Sequence, residues 1–235
     1  MKTSWSDSFF SIALRTLNRT IGYQTKIADT EEARLAACAL RRKIYWNDLH
    51  SSNHNEPLEQ LDRYDQASSI MTAFHKDQLI GTVRLMDRSQ CSLIEDIVEI
   101  DLPPSLQSVD LFEFSGLAIH PDHRGEGRFA LIGLLELAYR HSLEQQRSQW
   151  LCLFHNKRFR AFTSVFPDLQ ELPIRLRPEV QAPAYISQRV VPRLDEYKCF
   201  LVDLRRASYT KNILGMLRSM KQRKRSVRQT LRESS

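Results

Sequence analysis

The chain has 235 residues, a formal net charge of +6, 42% apolar residues and 26% charged ones. That is the balance of a soluble globular protein able to bury one good core. No apolar run approaches the roughly 20 residues of a membrane span, and the N-terminus lacks the long apolar stretch and cleavage site of a secretory signal. Four widely spaced cysteines, Cys38, Cys91, Cys152 and Cys199, form no CxxC pair. They read as reduced thiols of a cytoplasmic protein rather than as a disulfide framework.

Residues 7–21 place Phe9, Phe10, Ile12, Ala13, Leu14, Leu17 and Ile21 at helical spacing, with Asp7 as a candidate N-cap. A weakly alternating strand is expected over 23–27. Asp29, Thr30, Glu31 and Glu32 then open a helix to about Trp46, with capping and dipole signals at its start. A polar loop over 47–58 follows. Strands over 69–75 and 79–86, joined by Lys76-Asp77, make an antiparallel hairpin. Residues 94–100 suit either a strand or a short helix, and Leu102-Pro103-Pro104 ends them.

The centre of the chain is 110–139. An apolar run from Leu111 to Ile119, interrupted by Glu113, Ser115 and Gly116, reads as a buried strand. The turn His120-Pro121-Asp122-His123-Arg124-Gly125-Glu126-Gly127 follows, and then a helix apolar on most sides. A glycine-bearing turn between strand and helix presents free N–H groups and the positive end of the helix dipole, and Arg124 and Arg128 add charge. Such a turn holds a phosphate, or it is a strand–turn–helix unit with no ligand. A strand over 150–154, a helix over 157–165, a loop with Pro173, Pro178, Pro183 and Pro192, and a strand over 198–204 complete the order. Helices and strands mixed in this way predict a single α/β (mixed α+β) domain.

The turn resembles the phosphate-binding turn of the GNAT acyltransferase superfamily. The resemblance implies a mostly antiparallel central sheet flanked by helices. It also implies that Arg124, Gly125, Gly127 and Arg128 hold the phosphopantetheine of coenzyme A or of acyl carrier protein, with the thioester arm along Leu117 and Ile119. Phe129 stands where that pattern has glycine or alanine. Upstream, Leu40-Arg41-Arg42-Lys43-Ile44-Tyr45, Asp62-Arg63-Tyr64-Asp65, Gly81-Thr82-Val83-Arg84-Leu85 and Glu113-Phe114-Ser115 occur in order. This series is similar to the acyl-homoserine-lactone (autoinducer) synthases and the related long-chain N-acyl amino acid synthases. The serine–arginine of that pattern reads Ser115-Gly116 here, and Gln60 replaces an acidic residue, departures that favour the N-acyl amino acid branch.

The expected reaction moves an acyl group from a thioester to an amine. The amine must be neutral to attack, so a carboxylate near it acts as base, and Glu113, on an otherwise apolar strand, is the candidate. Burial would raise its pKa; a strand carboxylate paired to Arg84 is the alternative. A main-chain N–H near Leu117 is a candidate donor to the oxyanion. Asp62, Asp65 and Arg84 either bind an amino-acid acceptor or form an ion-pair network, and Arg41 suits both roles. His120 and His123 lack a third ligand, so no metal is expected. No nucleophile with a histidine partner is visible, which favours direct transfer.

Ten basic residues and one acidic residue, Glu233, lie from Arg205 onward. The expected organisation is an N-terminal helix (1–22), an acyltransferase domain (23–204) and a basic amphipathic tail (205–235). The tail suits an anionic membrane surface, placing the enzyme peripherally on its inner face; acidic carrier protein and a merely solubilising role are alternatives, and nucleic acid is disfavoured. Arg124, Arg128, Arg140, Arg147, Lys157, Arg158 and Arg160 would form a basic face for acyl carrier protein. An acetyl-CoA-dependent N-acetyltransferase and a non-catalytic GNAT-fold binding protein are the alternative functions.

Overall fold

A computed structural model of the protein describes residues 22–49, 60–103, 106, 111–124, 128–156, 162–163, 166 and 168–205. The helix expected over 7–21, the loop after 49, Gly125 to Gly127, most of the helix expected over 157–165 and the tail from 206 lie outside these residues. The elements in order are β1 (Tyr23–Ile27), α1 (Glu31–Leu49), the short α2 (Arg63–Gln66), β2 (Ser68–His75), β3 (Gln78–Asp87), β4 (Val98–Ile100) and β5 (Leu111–Ile119). After them come α3 (Arg128–Glu144), β6 (Gln149–His155), β7 (Leu169–Leu172), β8 (Ile174–Leu176), α4 (Ala184–Val190) and β9 (Tyr197–Asp203).

The main sheet has the strand order β1-β2-β3-β5-β6-β9-β7. Its pairs are antiparallel except β5 with β6, which run parallel. The β2–β3 hairpin turns through Lys76 and Asp77, both at left-handed φ values of 48° and 65°, a backbone whose twist suits a two-residue hairpin. Helix α3 lies against β1, β2, β3 and β5. It is apolar on most sides because Ala130, Ile132, Leu134, Leu135, Leu137 and Ala138 are all buried. Helix α1 covers the other face, with Ala37 and Cys38 packed on Ile70.

A mixed α/β domain with a mostly antiparallel central sheet flanked by helices is therefore what the chain forms. Trp150 anchors the α3 side: its ring stacks on Phe114 with centroids 4.8 Å apart, and its Nε1 donates to Ser142 Oγ at 2.8 Å. That bond satisfies the indole N–H in an otherwise apolar core.

Three expectations are corrected. Helix α1 continues to Leu49, past Trp46. Of residues 94–100, Val98–Ile100 alone form a strand, paired with Ile174–Leu176 in a separate two-stranded sheet. The proline-bearing stretch read as a loop contains β8 and α4. Pro183 caps α4 and Pro192 sits in the first turn of the 3₁₀ segment Val191–Glu196, positions where the missing N–H costs no hydrogen bond.

Candidate active site

The site begins where two parallel strands part. Strands β5 and β6 pair over Leu111↔Gln149 to Phe114↔Cys152 and no further. On the other side of β5, Ser115 faces Arg84 and Ala118 faces Thr82, so Gly116 and Leu117 together oppose Val83. This is a β-bulge, which bends its strand, and Gly116 carries the left-handed φ of 67° that it needs. Beyond the bulge a cavity of about 430 Å³ opens between the strands.

One wall of the cavity is cationic. Arg41 from α1, Arg84 from β3 and Arg189 from α4 all line it. Behind them lies Asp65, fully buried, accepting from Arg84 NH1 at 2.8 Å and from Arg41. Burial opposes ionisation of Asp65, but the two guanidinium groups outweigh it and hold the carboxyl far below the usual range. Asp62 caps α2 through a 2.7 Å bond from the Asp65 N–H and lies 3.5 Å from Arg84. Arg41, Asp62, Asp65 and Arg84 are thus one network, with two arginines presented to the cavity and Asp65 sealed behind them. Arg189 stacks on the Tyr45 ring at 4.3 Å, and the Tyr45 hydroxyl donates to the Leu117 carbonyl at 3.3 Å.

The remaining walls are apolar. Phe114, Leu131, Phe154 and Phe162 line the α3 side, while Leu93, Ile94, Ile97, Ile186 and Val190 line the opposite side. Such a lining takes hydrocarbon.

Glu113 is fully buried and stands just outside the cavity wall. Its Oε2 accepts from the Ser92 hydroxyl at 2.8 Å and the Ile94 N–H at 3.1 Å. Burial pushes its pKa above the ordinary carboxyl value, against those bonds, the Arg84 charge and the Ser115 hydroxyl. Ser115 does line the cavity, where its Oγ accepts from Arg84 Nε at 3.0 Å. Leu117, Ile119 and Arg124 also line it, and Arg124 Nε donates to the Ile119 carbonyl at 3.2 Å. Gly125 and Gly127 lie outside the described residues, as does the side chain of Arg128, the first residue of α3.

Of the basic face expected for a carrier protein, Arg140 pairs with Glu136 and Glu144, and Arg147 with Asp87. Lys157, Arg158 and Arg160 lie outside the described residues. The cysteines are poor nucleophiles: burial pushes Cys38 up to about 11 and Cys199 up to about 12. Among the described residues no three metal-ligating side chains converge, and no described helix is long and apolar enough to cross a membrane.

Sequence reasoning missed Arg189, Ile186 and Val190, because the prolines of that stretch masked α4. The i, i+4 spacing of Ile186 and Val190 after Pro183 was the available signal. It also missed His155 and Glu196, whose proximity depends on how β9 pairs with β6.

Solved structures with the same fold include the acyl-homoserine-lactone synthase LasI, at 13% identity and a TM-score of 0.58, covering 82% of this chain and 95% of that one. The CoA-dependent acyl-homoserine lactone synthase BjaI, solved with SAM and isopentyl-CoA, matches at 18% identity and a TM-score of 0.51 over 78% and 83% of the two chains. FeeM, an N-acyl amino acid synthase from uncultured soil microbes, matches at 13% identity and a TM-score of 0.49 over 78% and 92%. No curated protein sequence matches significantly. The fold is the one that LasI and BjaI have. The model of the family described as N-acyl amino acid synthase FeeM matches residues 36–189, from α1 through α4, so the chain belongs to that family and is an N-acyltransferase.

Proposed function

We propose that this enzyme moves a long-chain acyl group from the phosphopantetheine thioester of acyl carrier protein or coenzyme A to the amine of an amino acid. The observation that carries the reading is one cavity with an arginine wall and an apolar lining, opening where β5 and β6 part. Hydrocarbon suits the apolar walls, and an α-carboxylate suits Arg41, Arg84 and Arg189. Asp65 offsets part of that positive charge, so the wall takes one carboxylate without becoming a general anion trap.

The thioester arm runs along Leu117 and Ile119, with its phosphates at Arg124, Gly125, Gly127 and Arg128. Beyond Phe114 the β5 main chain no longer pairs with β6, which makes an N–H near Leu117 available to the oxyanion. Glu113 takes the amine proton by way of the Ser115 hydroxyl, which lies on the wall two residues along β5, and the buried Glu113 Oε1, which none of the described residues hydrogen-bonds, is the atom that receives it. A raised pKa improves a carboxylate as a base near neutral pH. The basic tail brings the enzyme to an anionic membrane surface, where an acylated product partitions.

The test is direct. The purified protein is incubated with palmitoyl-coenzyme A or palmitoyl-carrier protein and a mixture of amino acids, and mass spectrometry looks for N-acyl products. Thiol release without an acylated amine, or no reaction from either donor, refutes the reading.

A further inference from the structure

The cavity wall contributed by β6 ends in a histidine that the transfer described so far does not use. His155 continues the row of Leu151 and Leu153, which faces the cluster of Ile186, Val190 and Tyr197. Its backbone pairs with Tyr197 of β9, so the sheet fixes where the ring starts. Its Nε2 lies 2.7 Å from Glu196 Oε2, and the edge of the Tyr197 ring meets it with centroids 5.2 Å apart at 76°. His155 and Tyr197 both line the cavity. A carboxylate on one ring nitrogen fixes the orientation of an imidazole and assigns proton transfer to the other nitrogen.

The strand register says what faces this ring. The last β5–β6 pair is Phe114↔Cys152. Counted on past the bulge, where Gly116 and Leu117 share one place, it sets His155 level with Ala118, across the gap where the strands have separated. Ala118 lies in the middle of the stretch, Leu117 to Ile119, along which the thioester arm is proposed to run. A donor lying between the two strands would then have β5 main chain on one side and the His155 imidazole on the other. The arginine wall that would receive the acceptor sits nearer the apex of the gap, around Ser115 and Gly116.

We propose that His155, oriented by Glu196, is the general acid that protonates the departing thiolate; this rests on the transfer reaction proposed above. The amine lone pair attacks the thioester carbon and a C–N bond forms. The tetrahedral intermediate then collapses, the C–S bond breaks, and its electron pair leaves on sulfur. The imidazolium gives its proton to that sulfur, producing a thiol. The proton lost by nitrogen goes through Ser115 to Glu113 and on to solvent, and His155 regains one from solvent, so no proton is gained or lost overall. His155 is a catalytic residue in this scheme, and Glu196 is a positioning residue.

The test compares two donors on His155→Asn and the wild-type protein. One donor is a palmitoyl-pantetheine thioester. The other is the palmitoyl thioester of a nitro-substituted thiophenol, whose leaving thiolate needs no proton. On the pantetheine donor the variant is expected to lose about 10²- to 10⁴-fold in kcat. On the aryl donor, variant and wild type are expected to agree within about tenfold, the difference reading out proton supply to sulfur. Glu196→Gln should show the same donor dependence with a smaller loss, and it serves if His155→Asn fails to fold. An equal loss on both donors, or none on the pantetheine donor, overturns the assignment. If the wild-type protein transfers no acyl group from either donor, the transfer reading itself falls and this assignment with it.

Discussion

Replacing Gly116 with alanine tests whether the bulge and the arginine wall are one structural unit. At its φ of 67° a non-glycine residue costs roughly 1–2 kcal/mol. A Cβ there would lie 3.1 Å from Arg41 Cδ, 3.3 Å from Arg41 NH1 and 3.3 Å from Arg84 Cγ. Both side chains are tied to buried Asp65, so neither yields without loosening that network, and overpacking of this kind adds about 1–3 kcal/mol. The expected total is about 2–5 kcal/mol, or a fall in Tm of about 4–20 °C for a domain of this size. Gly81→Ala is the control, because its added Cβ would make ordinary contacts of 3.4–3.5 Å. Thermal unfolding followed by circular dichroism measures both, and acyl transfer measures the KM of the acceptor, which should rise for Gly116→Ala alone. A Tm and a KM unchanged from wild type would refute the reasoning. Arginine at this position should fare worse than alanine, since Arg41 already fills the space.

Glu113→Gln should fold and lose about 10²- to 10⁴-fold in turnover at neutral pH, as a lost general base does; near wild-type turnover would remove Glu113 from the mechanism. Arg189→Ala should raise the acceptor KM by about 10- to 150-fold, the equivalent of one charge-assisted hydrogen bond of roughly 1.5–3 kcal/mol. An equal loss with an acceptor amine that has no carboxylate would show instead that α4 has been disturbed. Asp65→Asn should cost about 3–5 kcal/mol at neutral pH, because it leaves buried guanidinium groups uncompensated. The folded-state pKa of Asp65 lies below its unfolded value, so its stabilisation is complete above about pH 4 and is lost as pH falls through the folded value. The stability gap between variant and wild type in urea unfolding should therefore shrink below about pH 4, and a gap that does not change with pH would sink this account. In flotation assays, the full chain should bind anionic vesicles at low salt and a chain ending at Ser208 should not; equal binding by both would exclude the tail as the anchor.

The local parts were legible because each is written in a short window. The β2–β3 hairpin follows from alternation around Lys76-Asp77, and α3 from a run of apolar residues that any helix of this domain must bury. The order of Arg41, Asp62, Asp65 and Arg84 also stood in the sequence, and with it the kinship. What sequence left open was which of these side chains face open space. That depends on contacts between α1, α2 and β3, which seal Asp65 behind Arg41 and Arg84, so that the network is at once an ion-pair cluster and a cavity wall. Glu113 was visible as an odd carboxylate in an apolar strand. That it stands off the wall depends on its bonds to Ser92 and the Ile94 N–H, from a segment about twenty residues earlier in the chain. Arg189 and the His155–Glu196 pair were invisible for the same physical reason. Pairing of β9 with β6 and packing of α4 over the opening bring distant segments together, and hydrophobic periodicity specifies which face of an element is buried but not which other element covers it.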